Sequence, residues 1–112
     1  MELLIKNSSN INVQNKNGCT PFHVAVNKLH VNCVRILLKY DCNVNSQDSY
    51  GDTGLHDIIG KRPQTNEIID LILSSPTIDL LIKNKRGFNP IHHAALKGNA
   101  KFVFFYLFIL NN

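Results

Sequence analysis

A chain of 112 residues, 44% apolar and 18% charged, has enough apolar content for one small core and too much for a disordered segment. Its net charge of +4 is scattered apart from a cluster between Lys83 and Arg86, which excludes a dense nucleic-acid-binding stripe and leaves a mild bias toward an acidic partner. Three loosely spaced cysteines, Cys19, Cys33 and Cys42, fit neither a complete disulfide framework nor a zinc module.

The first segment, Leu3-Leu4-Ile5-Lys6-Asn7-Ser8-Ser9-Asn10-Ile11-Asn12, matches Ile36-Leu37-Leu38-Lys39-Tyr40-Asp41-Cys42-Asn43-Val44-Asn45 almost position for position. Residues 1–14 therefore read as the tail of a repeat, opening on the last turns of a helix. The start lacks the basic residues and long apolar run of a signal peptide. Asn17-Gly18 is a tight-turn dipeptide, followed by Thr20 at a helix N-cap and Pro21 at the first helical position, where a missing N–H costs nothing. Helices are predicted from about Pro21 to Lys28 and from about Val31 to Tyr40, the second with Val34, Leu37 and Leu38 on its apolar stripe. Cys33 is expected in the core and Cys42 in the turn that follows.

The middle unit repeats this order, with helices at about Thr53 to Gly60 and Asn66 to Leu73. Lys61-Arg62-Pro63-Gln64-Thr65 between them is longer than its counterpart, as an insertion in an exposed turn would be. Gly54 replaces the proline of the other copies, which predicts a looser helix start. A third unit begins near Asn84, with helices at about Asn89 to Lys97 and Phe102 to Leu110. The last helix is apolar nearly all round, which predicts burial on more than one face. At nine residues it is short of the ~20 needed to span a membrane, so no membrane insertion is expected.

Gly18-Cys19-Thr20-Pro21-Phe22-His23, Gly51-Asp52-Thr53-Gly54-Leu55-His56 and Gly87-Phe88-Asn89-Pro90-Ile91-His92 are thus three copies of one signature, spaced 33 and 36 residues apart. A period of this length marks a stacked array, here one domain over 1–112 with repeats at 15–47, 48–83 and 84–112. His23, His56 and His92 invite a catalytic or metal reading. Their identical place in each unit instead predicts a bond to Thr20, Thr53 or a backbone group at the helix start. No nucleophile recurs beside a base, no paired metal ligands occur and no phosphate loop is present, so no catalytic, cofactor or metal residues are predicted.

The signature, with its small residues Ala94-Ala95 and the turn at Gly98, resembles the ankyrin repeat across essentially the whole chain. The departures are Gly54 for proline, Asn89 for threonine and Leu29 for the inter-helix glycine. The resemblance implies an all-α solenoid of helix-turn-helix units joined by β-turn fingers, non-enzymatic and binding other proteins. Carried onto this chain, the partner-binding places are Lys16, Asn17, Cys19, Asn27 and Lys28, then Ser49, Tyr50, Asp52, Gly60 and Lys61, then Lys85, Arg86, Phe88, Leu96 and Lys97. Their excess of Lys and Arg over acids favours an acidic or phosphorylated segment. Further ankyrin repeats are expected at both ends, the chain being read as a fragment of a larger cytoplasmic or nuclear protein. Asp52–Ile59 and Asn84–Asn99, with the less generic Leu55-His56-Asp57 and Phe88-Asn89 with His92-His93, also resemble consecutive ankyrin repeats of mind bomb-type RING E3 ubiquitin ligases. That narrower resemblance implies a substrate-recognition segment in Notch-ligand endocytosis, its RING modules lying outside this sequence.

Overall fold

The computed structural model describes residues 11–61 and 66–111. Most of the repeat tail expected at residues 1–14, and most of the inserted Lys61–Thr65 turn, lie outside the described residues. Six helices lie wholly within the described residues: α1 Pro21–Asn27, α2 Val31–Lys39, α3 Gly54–Ile59, α4 Asn66–Leu73, α5 Pro90–Lys97 and α6 Ala100–Leu110. No strand occurs among the described residues. Within each pair the two helices lie side by side, and α1, α3 and α5 form one layer while α2 packs on α4 in a second.

Each inner helix starts in the same way. Thr20, Thr53 and Asn89 are extended N-caps whose side chains accept from the backbone N–H three residues on, and the histidine at that position reaches back to the cap. These capping boxes satisfy donors that the first turn of a helix would otherwise leave orphaned. The ends of α1 and α5 also repeat one pattern. Leu29 N–H donates to Val26 and His30 N–H to Ala25, and the same pair recurs as Gly98 to Ala95 and Asn99 to Ala94. This arrangement needs a left-handed residue, which Gly98 adopts at φ 75° and Leu29, without glycine's freedom, at φ 59°. Asp41 does the same after α2, also at φ 59°.

The core runs through the stack: Phe22, Val26, Val34, Leu55, Ile58, Ile68, Ile72, Phe102 and Tyr106 are all buried. Three expectations change here. Gly54 does not loosen its turn, because α3 keeps the full capping box. It is buried, and a Cβ built on it would lie 2.5 Å from Cε2 of Phe22, so glycine makes room for the larger ring that the first unit carries. The two cysteines exchange places: Cys33 is exposed on α2, while the chain turns at Asp41 and tucks Cys42 into the core. Burial, with Asp41 beside it, pushes the Cys42 thiol up to about 11. Finally, α6 starts at Ala100, where Asn99 caps it by accepting from Phe102 N–H. It buries one stripe rather than several faces, leaving Phe104, Phe105, Leu107, Phe108 and Ile109 exposed.

Candidate interaction surface

The segments between repeats form three fingers of one design. In each, an Asn or Asp side chain accepts two backbone N–H groups: Asn15 from Asn17 and Cys19, Asp48 from Tyr50 and Asp52, Asn84 from Arg86 and Phe88, all at 2.9–3.0 Å. Gly18, Gly51 and Gly87 complete the turns at positive φ. For Gly18 and Gly51 space also decides, since a Cβ would lie 2.7 Å from the backbone nitrogen of Ser49 or Lys85 in the next finger. Ser49 N–H donates to Asn17 and Lys85 N–H to Tyr50, so the fingers stand as a bonded row. Gln14 and Gln47 each add two side-chain bonds, one within the finger and one to the next repeat.

The histidines extend this coupling further than sequence reasoning reached. Nδ1 of His23 and of His56 closes the capping box, at 3.1 and 3.0 Å from the threonine hydroxyl. Nε2 then meets the Asp52 carbonyl from His23 and the Phe88 carbonyl from His56, each at 2.9 Å. A carbonyl can only accept, so Nε2 carries the proton and Nδ1 accepts. One imidazole thus caps its own helix and staples its repeat to the next finger. His92 closes its own cap but is exposed, with no further finger beyond it among the described residues.

Donor atoms of His23, Asp48 and Asp57 lie within 4.8 Å of one another. The imidazole has no lone pair left for a metal, because both nitrogens are engaged within the frame. Asp57 stands where the sister copies carry Val24 and His93. It accepts from Asn27 at 3.0 Å. Burial, with Asp48 and Asp52 nearby, pushes its carboxyl up to about 6 against the pull of His23 and Asn27. His93, set edge-on to His56 at 5.5 Å, is held below its ordinary range by burial and by that neighbour. Its buried Nδ1 has no hydrogen-bond partner among the described residues.

The expected partner residues divide accordingly. Asn27 is tied to Asp57 and to the His23 carbonyl, and Asp52 accepts from Asn84, so both serve the frame. Lys16, Asn17, Lys28, Ser49, Tyr50, Lys85 and Arg86 are exposed, as is Lys97 on α5, while Lys61 and Phe88 are half-buried. Lys97 lies against Gly60 at the end of α3. The third finger gathers the richest set: the Arg86 guanidinium stands 5.3 Å from the Phe88 ring, Lys85 is adjacent, and Tyr50 is 74% exposed on the neighbouring finger.

A family model described as ankyrin repeats (3 copies) matches residues 1–84. Rabankyrin-5 of Mus musculus is 35% identical over 86 residues, covering 77% of this chain and 7% of its own length. A Rickettsia bellii protein described as an ankyrin repeat protein is 39% identical over 62 residues, 55% of this chain and 62% of its own. A Rickettsia felis protein with the same description is 34% identical over 106 residues, covering 89% of this chain and 47% of its own length. The match to Rabankyrin-5 therefore spans only a small part of that protein.

Proposed function

The chain belongs to the ankyrin-repeat family, whose repeats generally bind other proteins, and we propose that it is a non-catalytic module that holds a protein partner across its fingers. The observation that carries this reading is the third finger, where Arg86 stacks over Phe88 beside Lys85 with Tyr50 exposed next to it. Arg and Tyr are the types that dominate interface hot spots, and a ring under a guanidinium orients it for bidentate contact with a carboxylate or phosphate. We read the partner segment as acidic or phosphorylated for that reason. No helix among the described residues is long and apolar enough to cross a membrane.

An array of acidic and phosphorylated peptides, compared with neutral scrambles, tests the reading. Arg86→Ala with Phe88→Ala is expected to weaken capture by about 2 kcal/mol, roughly thirtyfold, while helicity is unchanged. Unchanged capture would remove this finger as the site.

Further ankyrin repeats at both ends belong to the same proposal. The exposed Leu96 and Leu107, and a His92 placed as His23 and His56 are, support a following unit. Free thiols at Cys19, Cys33 and Cys42 support a reducing cytoplasmic or nuclear setting, which fractionation of tagged protein would test. The mind bomb-type reading rests on the stretches Asp52–Ile59 and Asn84–Asn99, above all on Leu55-His56-Asp57 and on Phe88-Asn89 with His92-His93. A RING module in the same transcript would support it, and a transcript without one would remove it.

A further inference from the structure

The fifth residue of each outer helix faces water: Arg35 on α2, Asp70 on α4 and Phe104 on α6. Arg35 stays half exposed although α4 packs against its helix and Glu67 pairs with it. A further repeat stacked in the same way would therefore leave Phe104 about half exposed, as Arg35 is. Phe104 is 75% exposed and, with the exposed Phe105, Leu107 and Phe108 of the same helix, belongs to an apolar surface of the kind that marks an interaction site. Beside it, α4 and α6 separate to leave a recess of about 160 Å³. Ile69, Leu73, Phe102, Phe105 and Phe104 itself supply its apolar lining, with Asp70 and Lys101 at its exposed sides. An apolar cavity of ~150 Å³ accepts a benzene ring.

Phe104 is thus an exposed wall of the recess, and knob and recess share one face. One acid and one base flank them, and neither makes an ion pair within its own chain among the described residues. A two-fold axis brings identical patches together in opposite directions, which turns a knob beside a recess, and an acid beside a base, into a self-complementary surface. We propose that this outer face joins two copies of the chain: Phe104 of each copy enters the α4–α6 recess of the other, and Asp70 of each pairs with Lys101 of the other. The fingers and inner helices remain open on the opposite side, so the pair would present two binding surfaces.

Sedimentation velocity across a concentration series of the 112-residue chain tests this, with circular dichroism confirming that each variant is folded. A discrete dimer is expected for the unaltered chain. Phe104→Ser, Asp70→Lys and Lys101→Asp should each weaken it at least about tenfold, and the double reversal Asp70→Lys with Lys101→Asp should restore it. A chain that stays monomeric overturns the proposal. So does association that grows without an end point, that survives Phe104→Ser, or that the double reversal fails to restore.

Discussion

Asp57 is a carboxylate placed where the fold has little water for it, and this has a defined sign. Its carboxyl is raised from 3.8 to about 6, so the folded state binds that proton more tightly than the unfolded chain. The charged form is the disfavoured one. The contribution to stability is fully present below about pH 4 and is lost as pH rises through 6, a swing on the order of 2–3 kcal/mol. Asp57→Asn keeps an acceptor for Asn27 and removes the charge. Urea unfolding should then show a gain at pH 7.5 and a flattened slope between pH 4 and 6; an unaltered slope would mean that another group titrates there. The stapling histidines give a second residue-scale contrast. His56→Ala removes a cap, a bond to Phe88 and buried volume, and should cost about 2–4 kcal/mol. At exposed His92 the cap and a tilted ring contact with Phe88 are lost, and about 1 kcal/mol is expected. Equal costs in chemical denaturation would show that the inter-repeat bond contributes nothing. Sequence repetition located these histidines and their capping role. It could not show Nε2, because the partner is a backbone carbonyl 29 or 32 residues away that no side-chain pattern encodes.

At the level of elements, helix order and capping were legible because turn glycine, cap and first-turn proline recur in fixed register. Compensation between units was not. Gly54 was expected to loosen a helix start, yet it sits under the Phe22 ring of the preceding repeat. Gly54→Ala should therefore destabilise by about 1–3 kcal/mol through overpacking, despite alanine's better helix propensity. Phe22→Leu should recover part of that loss, and a double-mutant cycle without coupling would refute the steric account. Cys33 and Cys42 depart from the sequence expectation for a related reason: short helices leave the phase of the apolar stripe ambiguous, and a left-handed residue at Asp41 redirects the chain inward. Asp41 is exposed and its conformation suits glycine, so Asp41→Gly is expected to stabilise by about 0.5–1 kcal/mol. Loss of stability on thermal melting would instead mean that the Asp41 side chain supports the turn.

Across the whole molecule, stability is a sum over neighbours, and the neighbours are unequal. α3 is covered by α1 on one side and α5 on the other, and its Leu55 and Ile58 are almost wholly buried. α6 leans chiefly on α5 and leaves five large apolar side chains in water. Hydrogen exchange at high dilution should therefore find the amides of α3 the most protected and those of α6 released first, by at least about tenfold. The apolar sequence of α6 suggested the opposite, because hydrophobicity reports a wish for burial and says nothing about whether a neighbour supplies it. Raising the concentration separates the explanations. If two copies cover the outer face, protection should rise in α6 and α4 while α1 and the fingers stay as they were. A rise confined to the Leu96 side of α5, or none at any concentration, would show that the outer face stays open.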